Sequence, residues 1–304
     1  MKSFLKKILF FTAPLLIGLV ILECLLRFLP NDYKFKKNFI DNNSEEIQTL
    51  ILGNSHAFYG VNPEYLNKNS FNAAYVSQTL RYDLEIFRKY SNRLSKLENL
   101  VVAISYPSLF IDFKDTGENF RLKYYYIDYD FKSDIPLKYH FETTAMNLNS
   151  NLSNLRNYYL HQQDNLYSDT LGFGFEENSI EPSDFKLDGK KAAQRHTINT
   201  SDELQININY LEEIVSLAKK KKIKLFFVTL PTTGYYYKSI EDEQFDKTLK
   251  IITELENNNQ NVFYYNFLKN DQFSLNDFRD SDHLNAKGAE KFTKLLNYII
   301  NSKK

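Results

Sequence analysis

Four short, nearly unbroken apolar runs spaced along the chain constrain its fold more than any other feature: Thr49-Leu50-Ile51-Leu52-Gly53, Leu100-Val101-Val102-Ala103-Ile104-Ser105, Ile223 to Leu230 closed by Pro231, and Asn261-Val262-Phe263-Tyr264-Tyr265. A strand with one face in water alternates apolar and polar residues, whereas an unbroken run suits a strand covered on both faces, as in a parallel sheet. Helical spacing fills the intervals. Leu80 to Leu94 is helix-compatible, Leu211, Ile214, Val215 and Ala218 share one helical face, Phe245 to Leu255 repeats that spacing, and Ala286 to Ile300 places Phe292, Leu295, Leu296 and Ile299 on one side. The alternation predicts an α/β fold, a doubly wound, mainly parallel sheet flanked by helices.

A length of 304 residues suits one large domain or two small ones. With Lys+Arg 38 against Asp+Glu 38 there is no global field to recruit nucleic acid. Hydrophobic residues at 43% and aromatics at 15% exclude a disordered chain, and a mean hydropathy of -0.46 excludes a multi-span transporter. The lone cysteine, Cys24, excludes an internal disulfide and a cysteine metal cluster.

Lys2, Lys6 and Lys7 precede an uncharged stretch from Ile8 to Leu22, and apolar character resumes from Cys24 to Leu29. We read residues 1–30 as an N-terminal transmembrane helix and uncleaved single-pass anchor, with Glu23 and Arg27 paired four apart at its interfacial end and Pro30 ending it. A cleaved signal peptide is the alternative, disfavoured because no small-x-small site follows the apolar core. Lysines and arginines balance across the segment, so charge does not set its orientation. Residues 31–46 read as a polar linker or short docking segment, and residues 47–304 as the folded body. Residues 110–201 break the strand–helix rhythm and are read as a partly helical insertion over the carboxyl edge of the sheet, or else as a solvated flank. Tyr124-Tyr125-Tyr126 and Tyr235-Tyr236-Tyr237 suit either stacking on sugars or filling a core.

Ser55, in Gly53-Asn54-Ser55-His56, follows the first run directly, where a helix start can aim N–H groups at a developing oxyanion. Small polar residues also fill such turns as plain N-caps. The stretch Asp280-Ser281-Asp282-His283 supplies partners: a turn of that length lets Asp280 accept from one ring nitrogen of His283 while the other nitrogen faces Ser55. Asp282 is a fallback orienter that otherwise caps the last helix or faces solvent. His56 points away from the Ser55 side chain and lines the pocket. His140, His161 and His196 lack ligand spacing, so no metal is expected, and no glycine-rich phosphate loop or other cofactor site is visible.

Leu50 to His56 and Asp280-Ser281-Asp282-His283-Leu284-Asn285 resemble the first and last blocks of the SGNH (GDSL-like) hydrolase superfamily, with Asn54 where an aspartate usually stands. The resemblance implies a three-layer α/β/α fold and a serine acyl-enzyme, with Ser55, His283 and Asp280 catalytic and the N–H groups of Ser55 and Ser77 as oxyanion donors. Ser77 stands at the glycine of the family's second block, which begins at Asn72. The side-chain donor of the third block is missing from Ile104 to Ser108, where Ser105 or Asn72 could compensate. The anchor, the G-N-S-H form and Phe226 to Pro231 are similar to the membrane-anchored branch associated with O-acylation of bacterial surface polymers, which includes alginate acetylation proteins and the teichoic acid D-alanyl transfer protein. That similarity implies an acyl, chiefly acetyl, transferase or esterase acting on hydroxyls of a cell-envelope glycan. It also implies a membrane-bound O-acyltransferase as partner and a body on the periplasmic or extracellular side of a bacterial membrane. The other class is an inactive relative that binds the polymer or docks the acyltransferase.

Overall fold

The computed structural model describes residues 2–131, 134–164, 166–175, 179–198 and 202–303. The chain divides into two compact units, Met1–Asn38 with Asn119–Leu166, and Phe39–Glu118 with Tyr167–Lys304.

The second unit holds a five-stranded sheet of β1 Thr49–Leu52, β2 Ser70–Asn72, β3 Asn99–Ala103, β4 Lys224–Thr229 and β5 Val262–Asn266. All neighbours are parallel, in the order β2-β1-β3-β4-β5, with Ile51 opposite both Asn72 and Val101, Val101 opposite Phe226, and Phe226 opposite Phe263. Every residue of β1 and β3 is buried, as is β4 beyond Lys224, which is why these strands are written as apolar runs. The winding direction reverses between β1 and β3, and in such sheets the crevice at that reversal, outside the carboxyl ends of the strands, is where ligands bind. Ser55 follows β1 and Ser105 follows β3, so both stand at this crevice.

Helices flank the sheet on the faces that the spacing assigns to them. In Glu203–Lys220, Leu211, Ile214, Val215 and Ala218 are buried, and in Ala286–Ser302 the buried side chains include Phe292, Leu296 and Ile299. Leu80–Tyr90 packs on Glu203–Lys220, and Ala286–Ser302 packs on the short Ser55–Gly60 helix.

In the first unit, Lys2–Arg27 is one helix, ending three residues before Pro30. Its Lys6–Arg27 portion, 22 residues with a hydropathy of 2.5 and none of its apolar window buried, is long and apolar enough to be a membrane anchor or a signal sequence. The Arg27 guanidinium meets the Glu23 carboxylate at 2.7 Å, as their spacing predicts. The stretch read as a linker is instead helical over Asp32–Asn43, because Tyr33, Lys36 and Ile40 form a buried stripe at helical spacing that its charged composition masks.

The 110–201 stretch does not behave as one insertion. Residues 119–166 group with the N-terminal helices, whereas the Phe185–His196 helix belongs to the sheet unit with Phe185, Ala192 and Ala193 buried. That helix is no solvated flank. Residues 132–133, 165, 176–178 and 199–201 of the stretch lie outside the described residues. In each tyrosine triplet the middle ring, Tyr125 or Tyr236, is fully buried and fills a core.

Candidate active site

Ser55 is the first residue of the Ser55–Gly60 helix, and three supports fix its approach. Gly53 adopts φ 128°, a conformation open to glycine, and a Cβ there would stand 2.8 Å from the Ala103 Cβ. The Gly53 N–H donates to Asp83 Oδ1 at 2.8 Å, and Gln78 Nε2 donates to the same oxygen at 2.7 Å. Burial pushes the Asp83 carboxyl up to about 7 against these two donors.

Asn54 caps the short helix, its Oδ1 accepting the His56 N–H at 3.1 Å, while its Nδ2 donates to Ser105 Oγ at 2.6 Å. An ionised aspartate would accept the first bond but could not donate the second. Ser105 is held in turn by Ser108, which accepts its N–H and lies 2.9 Å from its hydroxyl. Ser105 therefore braces Asn54. The Asn72 amide is spent elsewhere, donating to the carbonyls of Ala57 at 2.9 Å and Val61 at 2.8 Å, so the expectation that Asn72 could replace the missing oxyanion donor is corrected. Asn72 pins the helix that carries Ser55.

Ser77 sits in the turn after β2 with φ 58°, the left-handed conformation that a glycine adopts freely. A non-glycine residue there costs roughly 1 kcal/mol. Ser77→Gly is accordingly expected to raise the Tm by about 2 °C, and a melting curve showing no rise would count against backbone strain at this turn.

His283 arrives on a tight turn, closed by an antiparallel bridge between Phe278 and Leu284 and by the Arg279 N–H donating to the His283 carbonyl at 3.1 Å. Inside the turn Asp280 Oδ1 accepts the N–H groups of Asp282 at 3.1 Å and His283 at 2.8 Å, so the carboxylate is anchored before it meets the ring. His283 Nδ1 then lies 2.9 and 3.0 Å from the two Asp280 oxygens, and His283 Nε2 lies 2.7 Å from Ser55 Oγ. Burial works against charge on both partners of the pair, but each stabilises the other. Asp280 is thereby held well below the usual carboxylate range and His283 is raised.

Asp282 neither caps the last helix nor faces solvent. It is 2% exposed, and the cap is Asn285, whose Oδ1 accepts the Gly288 N–H at 3.0 Å. The turn sends Asp282 inward, its Oδ1 3.7 Å from His283 Nδ1 and its Oδ2 3.6 Å from His56 Nε2 and 3.9 Å from His196 Nδ1. Burial raises its carboxyl. His56 is buried with its ring 4.9 Å from that of His283, beside the reacting pair rather than in it. Burial, reinforced by His283, lowers both His56 and His196 to about 3, so both rings are neutral near pH 7.

Residues that sequence spacing leaves unassigned complete the surroundings. His196 comes from the Phe185–His196 helix and shares a 2.8 Å hydrogen bond with the Tyr236 hydroxyl. Asp188 of the same helix accepts the Ser281 N–H at 2.9 Å. The Arg279 guanidinium lies 4.4 Å over the Tyr59 ring, and that ring meets His283 edge-on. Ligand-capable atoms of His56, Asp282 and His283 lie within 4.8 Å of one another, but both ring nitrogens of His283 are already engaged by Asp280 and Ser55.

A protein-family model matches residues 175–304, which carry Asp280 and His283. No curated protein matches the chain. Similar solved structures include a protein provisionally assigned as an acylhydrolase from Bacteroides fragilis, at 14% identity and TM-score 0.42 over 88% of this chain and 96% of that one. A protein from Streptococcus pneumonia provisionally assigned as platelet activating factor matches at 12% identity and TM-score 0.45, over 95% and 97%. A GDSL-like lipase from Bacteroides thetaiotaomicron matches at 12% identity and TM-score 0.44, over 90% and 100%.

Proposed function

We propose that the chain is a serine-dependent acyl-transfer enzyme, an esterase or O-acyltransferase, and the observation that carries this is the unbroken relay from Asp280 through His283 to Ser55 Oγ at 2.7 Å. In this reading His283 Nε2 takes the Ser55 proton as Oγ attacks an ester carbonyl, and the imidazolium is held by Asp280. The oxyanion is received by the N–H groups of Ser55 and Ser77. His283 then protonates the departing alcohol, leaving the acyl group on Ser55. Water or a sugar hydroxyl attacks that ester, its proton passing to His283, and Ser55 is restored.

The resemblance to membrane-anchored O-acylation proteins supports an acetyl group as cargo and a cell-envelope glycan as its donor or acceptor. It also supports a membrane-bound O-acyltransferase as partner and a body on the outer side of a bacterial membrane. A second reading, a docking or glycan-binding relative without turnover, is favoured by Ser105. It is the remaining candidate to replace the missing side-chain oxyanion donor, and its hydroxyl is bound to Asn54 and Ser108.

Incubating the detergent-solubilised full chain with p-nitrophenyl acetate and weighing the intact protein tests both. One acetyl group trapped on the parent and absent from Ser55→Ala, with turnover lowered at least about 10³-fold in Ser55→Ala and His283→Ala, is the expected result. Turnover and labelling that ignore Ser55 would end the enzyme reading.

A further inference from the structure

The Leu148–His161 helix of the first unit presents a largely exposed apolar stripe. Leu148, Leu152, Leu155 and Tyr159 recur at intervals of four, three and four, which places all four within a narrow arc of the helix surface. Leu148, Leu152 and Tyr159 are 58%, 49% and 46% exposed, and the preceding turns expose Leu137 and Phe141 as well. Single exposed leucines are ordinary, but a contiguous set marks a contact surface.

What this stripe meets follows from the helix on which its segment is built. The N–H groups of Glu142 and Thr143 each donate to the Glu23 carboxylate at 3.0 Å, and the Thr143 hydroxyl donates to it at the same distance. Arg27 Nη2 donates to the His140 carbonyl at 3.0 Å, and the Tyr159 hydroxyl donates to the Leu25 carbonyl at 3.4 Å. Residues 137–160 are thus joined to the end of the Lys6–Arg27 stretch, the part long and apolar enough to cross a bilayer. A carboxylate within such a stretch is costly unless it is partnered. Here its partners include donors of this very segment, which ties the segment to the end of the apolar stretch.

We propose that residues 137–160 form a second membrane contact, lying in the lipid interface with the Leu148, Leu152, Leu155 and Tyr159 stripe, Leu137 and Phe141 turned into the acyl-chain boundary. The proposal rests on the reading of the N-terminal helix as an uncleaved anchor. Asn149, Ser150, Ser153 and Asn157 lie away from the stripe, with Leu160 the exposed apolar residue among them. The segment then braces the anchor from the side.

The chain contains no tryptophan, so single tryptophans report cleanly. Full-length Leu152→Trp, Leu19→Trp in the apolar helix and Leu275→Trp on the second unit are reconstituted into phosphatidylcholine vesicles with and without brominated acyl chains, with Tyr159→Trp as a second position on the stripe. We expect Leu19→Trp, Leu152→Trp and Tyr159→Trp to be quenched by bromine at least about twofold more than Leu275→Trp. Quenching of Leu19→Trp with both stripe positions at the Leu275→Trp level would overturn the interfacial contact and leave the anchor standing. A blue-shifted stripe tryptophan untouched by bromine would mean that protein covers the stripe, which also overturns the proposal. Loss of quenching at every position would overturn both this proposal and the anchor reading.

Discussion

Asp280→Asn is expected to lower kcat/KM toward an activated acetyl ester by about 10³- to 10⁴-fold and, in the same variant, to move the acid limb of the pH profile downward. Both effects come from one carboxylate. Asparagine can still accept the N–H groups of Asp282 and His283 that Asp280 Oδ1 accepts, so the turn keeps its shape. What is lost is the charge beside Nδ1. Burial pushes the His283 ring down, but the carboxylates of Asp280 and Asp282 and the hydrogen bond that the ring donates to Asp280 outweigh it and raise the ring to about 9, with Arg279 opposing weakly. His283 must be neutral to take the Ser55 proton, so activity of the parent rises with pH toward that value. Removing Asp280 takes away the largest support of the imidazolium, and the limb falls toward the ordinary histidine value of about 6.5. Since kcat/KM reports groups of the free enzyme, the two readouts come from one titration of rate against pH. A variant whose rate drops while the limb stays in place would show that another group than His283 titrates. Asp282→Asn should shift the limb in the same direction with a far smaller loss of rate, because its nearest oxygen lies 3.7 Å from Nδ1.

Gly53→Ala is expected to cost about 2–6 kcal/mol, a sum of roughly 1–3 kcal/mol for a backbone region closed to alanine and a similar figure for overpacking. The added methyl would meet the Ala103 Cβ at 2.8 Å and the Ala103 N at 3.1 Å on the neighbouring β3. Against a total stability of about 5–15 kcal/mol, that loss should lower the Tm by on the order of 10 °C, as read by circular dichroism. Activity should fall further than unfolding explains, since Ser55 lies two residues on and Gly53 is tied by its N–H to Asp83. A companion variant, Ala103→Gly with Gly53→Ala, removes the closest collision but keeps the backbone contacts and the backbone cost, and should recover part of the Tm. A single variant melting with the parent would refute the account of this turn.

Where burial is continuous along a strand, local composition records it, and β1, β3 and β4 are legible for that reason. β2 is not: Ser70-Phe71-Asn72 is a short edge strand, formed because it can pair with β1 and without an apolar run to announce it. The Asp32–Asn43 helix hides for the opposite reason, since two of its four buried positions are the charged Asp32 and Lys36. In the site, Ser55, Asp280 and His283 can be read because two of them share one turn and the third ends a buried run. His196, Asp188 and Tyr236 cannot, because only tertiary packing of the Phe185–His196 helix brings His196 to Asp282 and Tyr236, and Asp188 to Ser281. Asp282 shows the limit within a motif: spacing offers two aspartates to one histidine, and only the closure of the Phe278–Leu284 turn decides that one orients the ring while the other is driven inward.

The two atoms meeting at 2.7 Å belong to residues 228 positions apart. A ribosome therefore delivers the hydroxyl long before its proton acceptor. Until the turn that carries His283 docks, Ser55 has no base beside its hydroxyl. If Ser55 is the nucleophile proposed above, competence doubles as a certificate of completed folding, and a nick between Ser55 and Asp280 that frees the later segment would revoke it without touching the serine.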